Sequence, residues 1–93
     1  MSEADRSASH VVVYASPSCA YCAAAKRLLR RKRADFLEIN VPSSPQRRQQ
    51  MVELSGRRTV PQIFIGGRHI GGYTELAALE SEGRLDALLA EDV

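Results

Sequence analysis

Cysteine is scarce in this chain of 93 residues: there are two, Cys19 and Cys22. A domain stapled by disulfides needs several bridges spread along the chain, so this pair does not hold the fold together. No second C-x-x-C and no close pair of histidines completes the four ligands of a zinc site, and His10 and His69 read as ordinary strand residues. Long apolar runs are also missing. No stretch approaches the roughly 20 residues needed to span a bilayer. The opening Met1-Ser2-Glu3-Ala4-Asp5-Arg6-Ser7-Ala8-Ser9 is polar and lacks the apolar core of a secretory signal. Residues 1–9 are therefore expected to be a disordered lead-in, and residues 10–93 one domain of a cytoplasmic protein with no membrane partner. With 44% hydrophobic and 26% charged residues, that domain should be an ordinary globular one with a single modest core.

The net charge is only +2, but its distribution is uneven. Six of the eight residues from Lys26 to Arg33 are basic, and Arg47-Arg48 and Arg57-Arg58 add two further pairs. One reading is a positive field that draws anionic thiols or partners toward the cysteines; the other is a solvated helix face. Nucleic acid is not the expected partner, because the interleaved aromatics and recognition motif it requires are missing.

What is present centres on Cys19-Ala20-Tyr21-Cys22. The run before it, His10-Val11-Val12-Val13-Tyr14, is β-branched and aromatic and suits a buried strand. The run after it, Ala23-Ala24-Ala25-Lys26-Arg27-Leu28-Leu29, is strongly helical. Cys19 thus falls at the mouth of a helix, where backbone N–H groups lack intrahelical partners and the dipole favours a thiolate over a thiol. Cys22, three residues on, is near enough to close a disulfide with it. Such a C-x-x-C, after a strand and opening a helix, reads as a dithiol redox site.

Further elements follow in order. Ser16-Pro17-Ser18 forms the loop before Cys19, and the helix runs to Lys32 or Arg33 with Leu28 and Leu29 buried. Asp35–Asn40 alternates as a second strand, with Phe36 and Leu37 competing for the core. Ser44 followed by Pro45 caps a second helix that carries Met51 and Leu54 and stops at Gly56. Pro61 precedes the strand Gln62-Ile63-Phe64-Ile65, and Gly66-Gly67 is a hairpin turn into Arg68-His69-Ile70. Thr74 is expected to cap the helix Glu75-Leu76-Ala77-Ala78-Leu79, and a last helix over about residues 83–90 carries Leu85, Leu88 and Leu89 on one face. Tyr14 and Phe64 are core residues.

C-A-Y-C after a strand, T-V-P before a strand, and G-G-Y-T-E opening a helix, in this order, resemble glutaredoxins over residues 10–90. The resemblance implies an α/β, thioredoxin-like fold: a small mixed four-stranded sheet flanked by helices, in the order βαβαββα plus a C-terminal helix. It implies that Cys19 is the nucleophile and Cys22 the resolving thiol. It also implies a cis Val60–Pro61 bond that turns the Val60 backbone toward glutathione, whose cysteine pairs there as a short added strand. Thr59, Tyr21, Gly72 and Tyr73 would border the tripeptide. Thr74 and the helix start would hold its γ-glutamyl carboxylate. Glu75 would meet its amino group, and Arg48 its glycine carboxylate.

Two positions depart from the family pattern. Ser16 stands where many members carry a lysine near the thiolate, so Arg48, Arg57 or Arg58 would have to supply that cation. Ala20 stands where the commonest motif has proline, which relaxes the turn and restores a backbone donor.

The implied activity is glutathione-dependent thiol–disulfide exchange on glutathionylated or disulfide-containing proteins, by a monomer that needs no metal. Two alternatives remain. One is a redoxin reduced by thioredoxin reductase and feeding ribonucleotide reductase. The other is a dimer bridging a [2Fe–2S] cluster through Cys19 and glutathione, with which a small residue at position 20 is compatible.

Overall fold

The computed structural model describes residues 10–90. The elements are β1 (Val11–Ala15), α1 (Ala20–Arg31), β2 (Leu37–Asn40), α2 (Pro45–Ser55), β3 (Gln62–Ile65), β4 (Arg68–Gly71), α3 (Tyr73–Ser81) and α4 (Leu85–Ala90). The expected tail of residues 1–9 lies outside the described residues. No helix among the described residues is long and apolar enough to cross a membrane.

The four strands form one mixed sheet in the order β2-β1-β3-β4. β1 runs parallel to β2, with Val12 opposite Leu37 and Tyr14 opposite Ile39, and α1 provides the crossover that a parallel pair requires. β1 is antiparallel to β3, and β3 to β4. Having neighbours on both sides and helices on both faces, β1 is apolar nearly throughout, as its sequence VVVYA requires.

Successive strand residues point to opposite faces. Val11, Val13, Ala15, Ile63 and Ile65 join Cys22, Ala25, Leu28 and Leu29 of α1, with Leu76 and Leu85, in the larger core. Tyr14 and Phe64 face the other way and pack with Val41 and Met51 under α2. The competition between Phe36 and Leu37 resolves by this alternation. Phe36 packs against the larger core with the Arg30 guanidinium 5.5 Å from its ring centre, while Leu37 is left 44% exposed.

The β3–β4 turn is Gly66-Gly67, with φ of 58° and 81°, a left-handed pair that only glycine adopts easily. Past it the ladder is irregular. Phe64 lies opposite His69 but Ile63 opposite Gly71, so Ile70 is an extra residue and β4 bulges just before α3.

One expectation is corrected at that junction. The N-cap of α3 is Gly72, not Thr74, and Thr74 is already the second helical residue. Glu75 makes the early start possible: its Oε1 reaches back to accept from the Gly72 N–H at 2.7 Å, satisfying a donor the helix leaves open.

Candidate active site

α1 begins because a β-branched strand gives way to alanines, and the residue at the change is Cys19. Cys19 is the N-cap, in extended conformation, and its Sγ accepts from the Cys22 N–H at 3.0 Å. Sulfur thus occupies the place that a serine or aspartate oxygen usually takes. No acidic side chain stands in the first turn, and Arg30 and Arg31 lie in the last, so nothing on α1 opposes negative charge at its start. On its other side the Cys19 thiol points at the Val60 carbonyl, 3.8 Å away.

Cys22 differs in every respect except its chemical group. It is fully buried in the larger core, and both thiols are free. Burial, seconded by the hydrogen bond to Cys19, pushes its pKa up to about 12, against smaller opposing effects from the Ser16 backbone and Lys26. The site therefore pairs a partly exposed sulfur under a backbone donor with a buried thiol held neutral.

Two further segments close around Cys19. The first is the loop Thr59-Val60-Pro61, whose Val60–Pro61 bond is cis. Its conformation is braced by Gln62, whose Nε2 donates to the Thr59 carbonyl at 2.9 Å and to Thr59 Oγ1 at 3.3 Å. The second is the start of α3. A Cβ on Gly72 would meet the Pro61 carbonyl at 3.4 Å, so these two backbones pass close together. At Gly71, with φ of 122°, a Cβ would lie 2.7 Å from Glu75 Oε1. Tyr73 stacks on Tyr21, ring centres 6.2 Å apart, which joins α3 to the cysteine motif; Tyr21 itself is 65% exposed. Thr74 is exposed beside them.

The charged residues are largely committed to one another. The Glu75 carboxyl is held below the usual range, first by the Gly72 N–H and then by Arg57, whose guanidinium lies 3.6 Å away. Arg48 donates to the Arg58 carbonyl at 3.3 Å, at the entrance to the Thr59 loop. Lys26 pairs with Glu38 at 2.7 Å, and Lys32 with Glu80 and Asp86, so part of the basic run serves the fold.

Of the residues expected from sequence, Cys19, Cys22, Tyr21, Val60, Pro61, Gly72 and Tyr73 converge on one place, with Thr59, Thr74 and Glu75 along its border. Arg48 stands on α2, at the loop side. Sequence reasoning passed over Arg57 as the partner of Glu75, and Gln62 as the brace of Thr59. Among the described residues, no group of three or more His, Cys, Asp or Glu is gathered to hold a metal ion.

The family model that matches is Glutaredoxin, over residues 11–70. A glutaredoxin of Neisseria meningitidis serogroup B is 51% identical over 80 residues, which cover 85% of this chain and 94% of that protein. The solution structure of glutaredoxin from Brucella melitensis superposes with a TM-score of 0.77 at 54% identity, covering 89% of this chain and 90% of the other. A buckwheat glutaredoxin–glutathione complex superposes with a TM-score of 0.81 at 30% identity, covering 86% and 76%. The thioredoxin-like sheet, the cysteine pair at the first helix and these likenesses lead to one conclusion: the chain belongs to the glutaredoxin family of thiol–disulfide oxidoreductases.

Proposed function

We propose that this glutaredoxin uses glutathione to reduce glutathione mixed disulfides and protein disulfides, with Cys19 as nucleophile. The observation that carries this reading is the position of Cys19 Sγ, between the Cys22 N–H at 3.0 Å and the Val60 carbonyl at 3.8 Å. A sulfur placed there can accept charge from the helix start while a peptide lies along the Val60 backbone. The likeness to a relative solved with glutathione supports the choice of tripeptide.

In the first step the Cys19 thiolate attacks the glutathione sulfur of a mixed disulfide. The old S–S bond breaks, the protein thiolate leaves, and Cys19 carries glutathione. A second glutathione thiolate then attacks that glutathione sulfur, releasing glutathione disulfide and the Cys19 thiolate. For a protein disulfide, Cys19 attacks one sulfur and the other leaves as a thiolate. Cys22 then loses its proton, attacks Cys19 Sγ and expels the remaining protein thiolate. The Cys19–Cys22 disulfide so formed is reduced by two glutathiones, which leave as glutathione disulfide. Burial raises the Cys22 pKa, so its thiol must give up a proton before it can attack.

Glutathione would pair with Val60, rest beside Tyr21, Tyr73 and Gly72, and set its γ-glutamyl carboxylate on Thr74 and the N–H groups opening α3. Glu75, already holding Gly72 and Arg57, borders the same spot and takes the amino group. Arg48 and Thr59 flank the glycine end.

The test is glutathione-coupled reduction of a glutathione mixed disulfide by wild type, Cys19→Ser and Cys22→Ser. Cys22→Ser should remain active and Cys19→Ser should be dead. A wild type that glutathione cannot turn over, but thioredoxin reductase can, would overturn the reading.

A further inference from the structure

We propose that His69 is a positioning residue for the glutathione-binding loop Thr59–Pro61, acting through the side chain of Gln62. The inference rests on the reading of that loop given above and adds a residue that touches neither cysteine.

Gln62 is the one buried polar side chain among the described residues, 1% exposed on β3. Its amide has fixed directions. Nε2 donates to the Thr59 carbonyl at 2.9 Å and to Thr59 Oγ1 at 3.3 Å, so Oε1 must accept. The atom facing Oε1, at 2.7 Å, is His69 Nε2. His69 must therefore donate through Nε2, which fixes the tautomer of a neutral ring. Burial and the nearby Arg57 lower the His69 pKa, against a smaller pull from Glu75, so the neutral Nε2–H form is the one expected near pH 7.

The fold holds the imidazole for this task. His69 lies opposite Phe64 across the β3–β4 ladder, its ring 5.1 Å from the phenyl ring, and diagonal to Gln62 on the same face. The chain of contacts runs from β4 through a buried amide to the residue that precedes Val60. It ends beside the carbonyl that Cys19 Sγ approaches. Without the imidazole donor, Gln62 Oε1 is buried and unpaired, and the amide that braces Thr59 loses its anchor on β4.

The expected signature is a loss of ligand binding without loss of the nucleophile. His69→Phe keeps a ring against Phe64 but removes the donor. It should raise KM for a glutathione mixed disulfide about three- to ten-fold with kcat little changed, as loss of one neutral hydrogen bond to a binding loop predicts. Amide exchange over residues 59–62 should quicken, while iodoacetamide alkylation of Cys19 should keep its rate. His69→Gln can present an amide N–H where Nε2 stood and should restore KM. A His69→Phe protein with wild-type KM and wild-type exchange over the loop would overturn the proposal. If His69→Phe fails to fold, the imidazole nitrogen shifts of the wild type decide: an Nδ1–H tautomer contradicts the relay. A wild type inactive with glutathione refutes the reading of the loop instead, and the exchange and tautomer measurements still judge His69.

Discussion

Cys19 and Cys22 carry the same thiol three positions apart, and their surroundings give them opposite chemistry. Cys19 follows the loop after β1 and caps α1; Cys22 faces the core because its helical position matches Ala25 and Leu29. The sign of the resulting pH dependence follows from the raised pKa. An unfolded chain ionises Cys22 near its ordinary value of about 8.5, and the folded protein near about 12. The stability associated with burying a neutral thiol is thus full below the lower value and is lost progressively as pH rises between the two. Cys22→Ala should flatten the decline of unfolding free energy over that alkaline range, as denaturant titrations at successive pH values will report. In the Cys19→Ser protein, thiolate absorbance from Cys22 should stay absent until strongly alkaline pH.

At the scale of the element, the start of α3 shows how far local sequence can be read. Strand β1, helix α1 and the Gly-Gly hairpin are legible because composition changes sharply at their ends. The cap of α3 is not. A hydroxyl at Thr74 looks like the natural start, yet Gly72 takes the role, for two reasons beyond local propensity. The backbone there must pass the Pro61 carbonyl, and Glu75 supplies the side chain that a glycine cap lacks. Gly71 adopts φ of 122° with no room for a methyl group beside the Glu75 carboxylate. Gly71→Ala should therefore cost about 1–3 kcal/mol, from backbone strain plus displacement of Glu75. Chemical denaturation will measure the cost, and Gly71→Ala combined with Glu75→Ala should lose less than the two separate losses added, because both act on one contact.

At the scale of the whole molecule, Lys32 joins the helices that cover one face of the sheet. It follows the last residue of α1 and reaches Glu80 of α3 at 2.7 Å and Asp86 of α4 at 3.0 Å. Those carboxylates raise its pKa, so their contribution holds below the ordinary lysine range and is lost only as pH rises past it. Lys32→Met should lower the melting temperature, and the gap between the two proteins should narrow in high salt, which screens exposed pairs. Nothing in the basic run around Lys32 distinguishes it from Arg31 or Arg33; only the packing of three helices does. His69 was equally opaque. A two-residue turn predicts that it faces Phe64, but its bond to Gln62 depends on a buried amide whose direction is set across the sheet.

The sulfur of Cys19 is surrounded by main-chain groups: the Cys22 N–H on one side and the Val60 carbonyl on the other. Main-chain atoms survive almost any substitution. Exchanging the side chains of Ser16, Ala20 or Tyr21 therefore leaves the polar contacts of the sulfur in place. A protein arranged in this way can be refitted to new clients by altering its exterior, while the atoms that handle the sulfur stay in place.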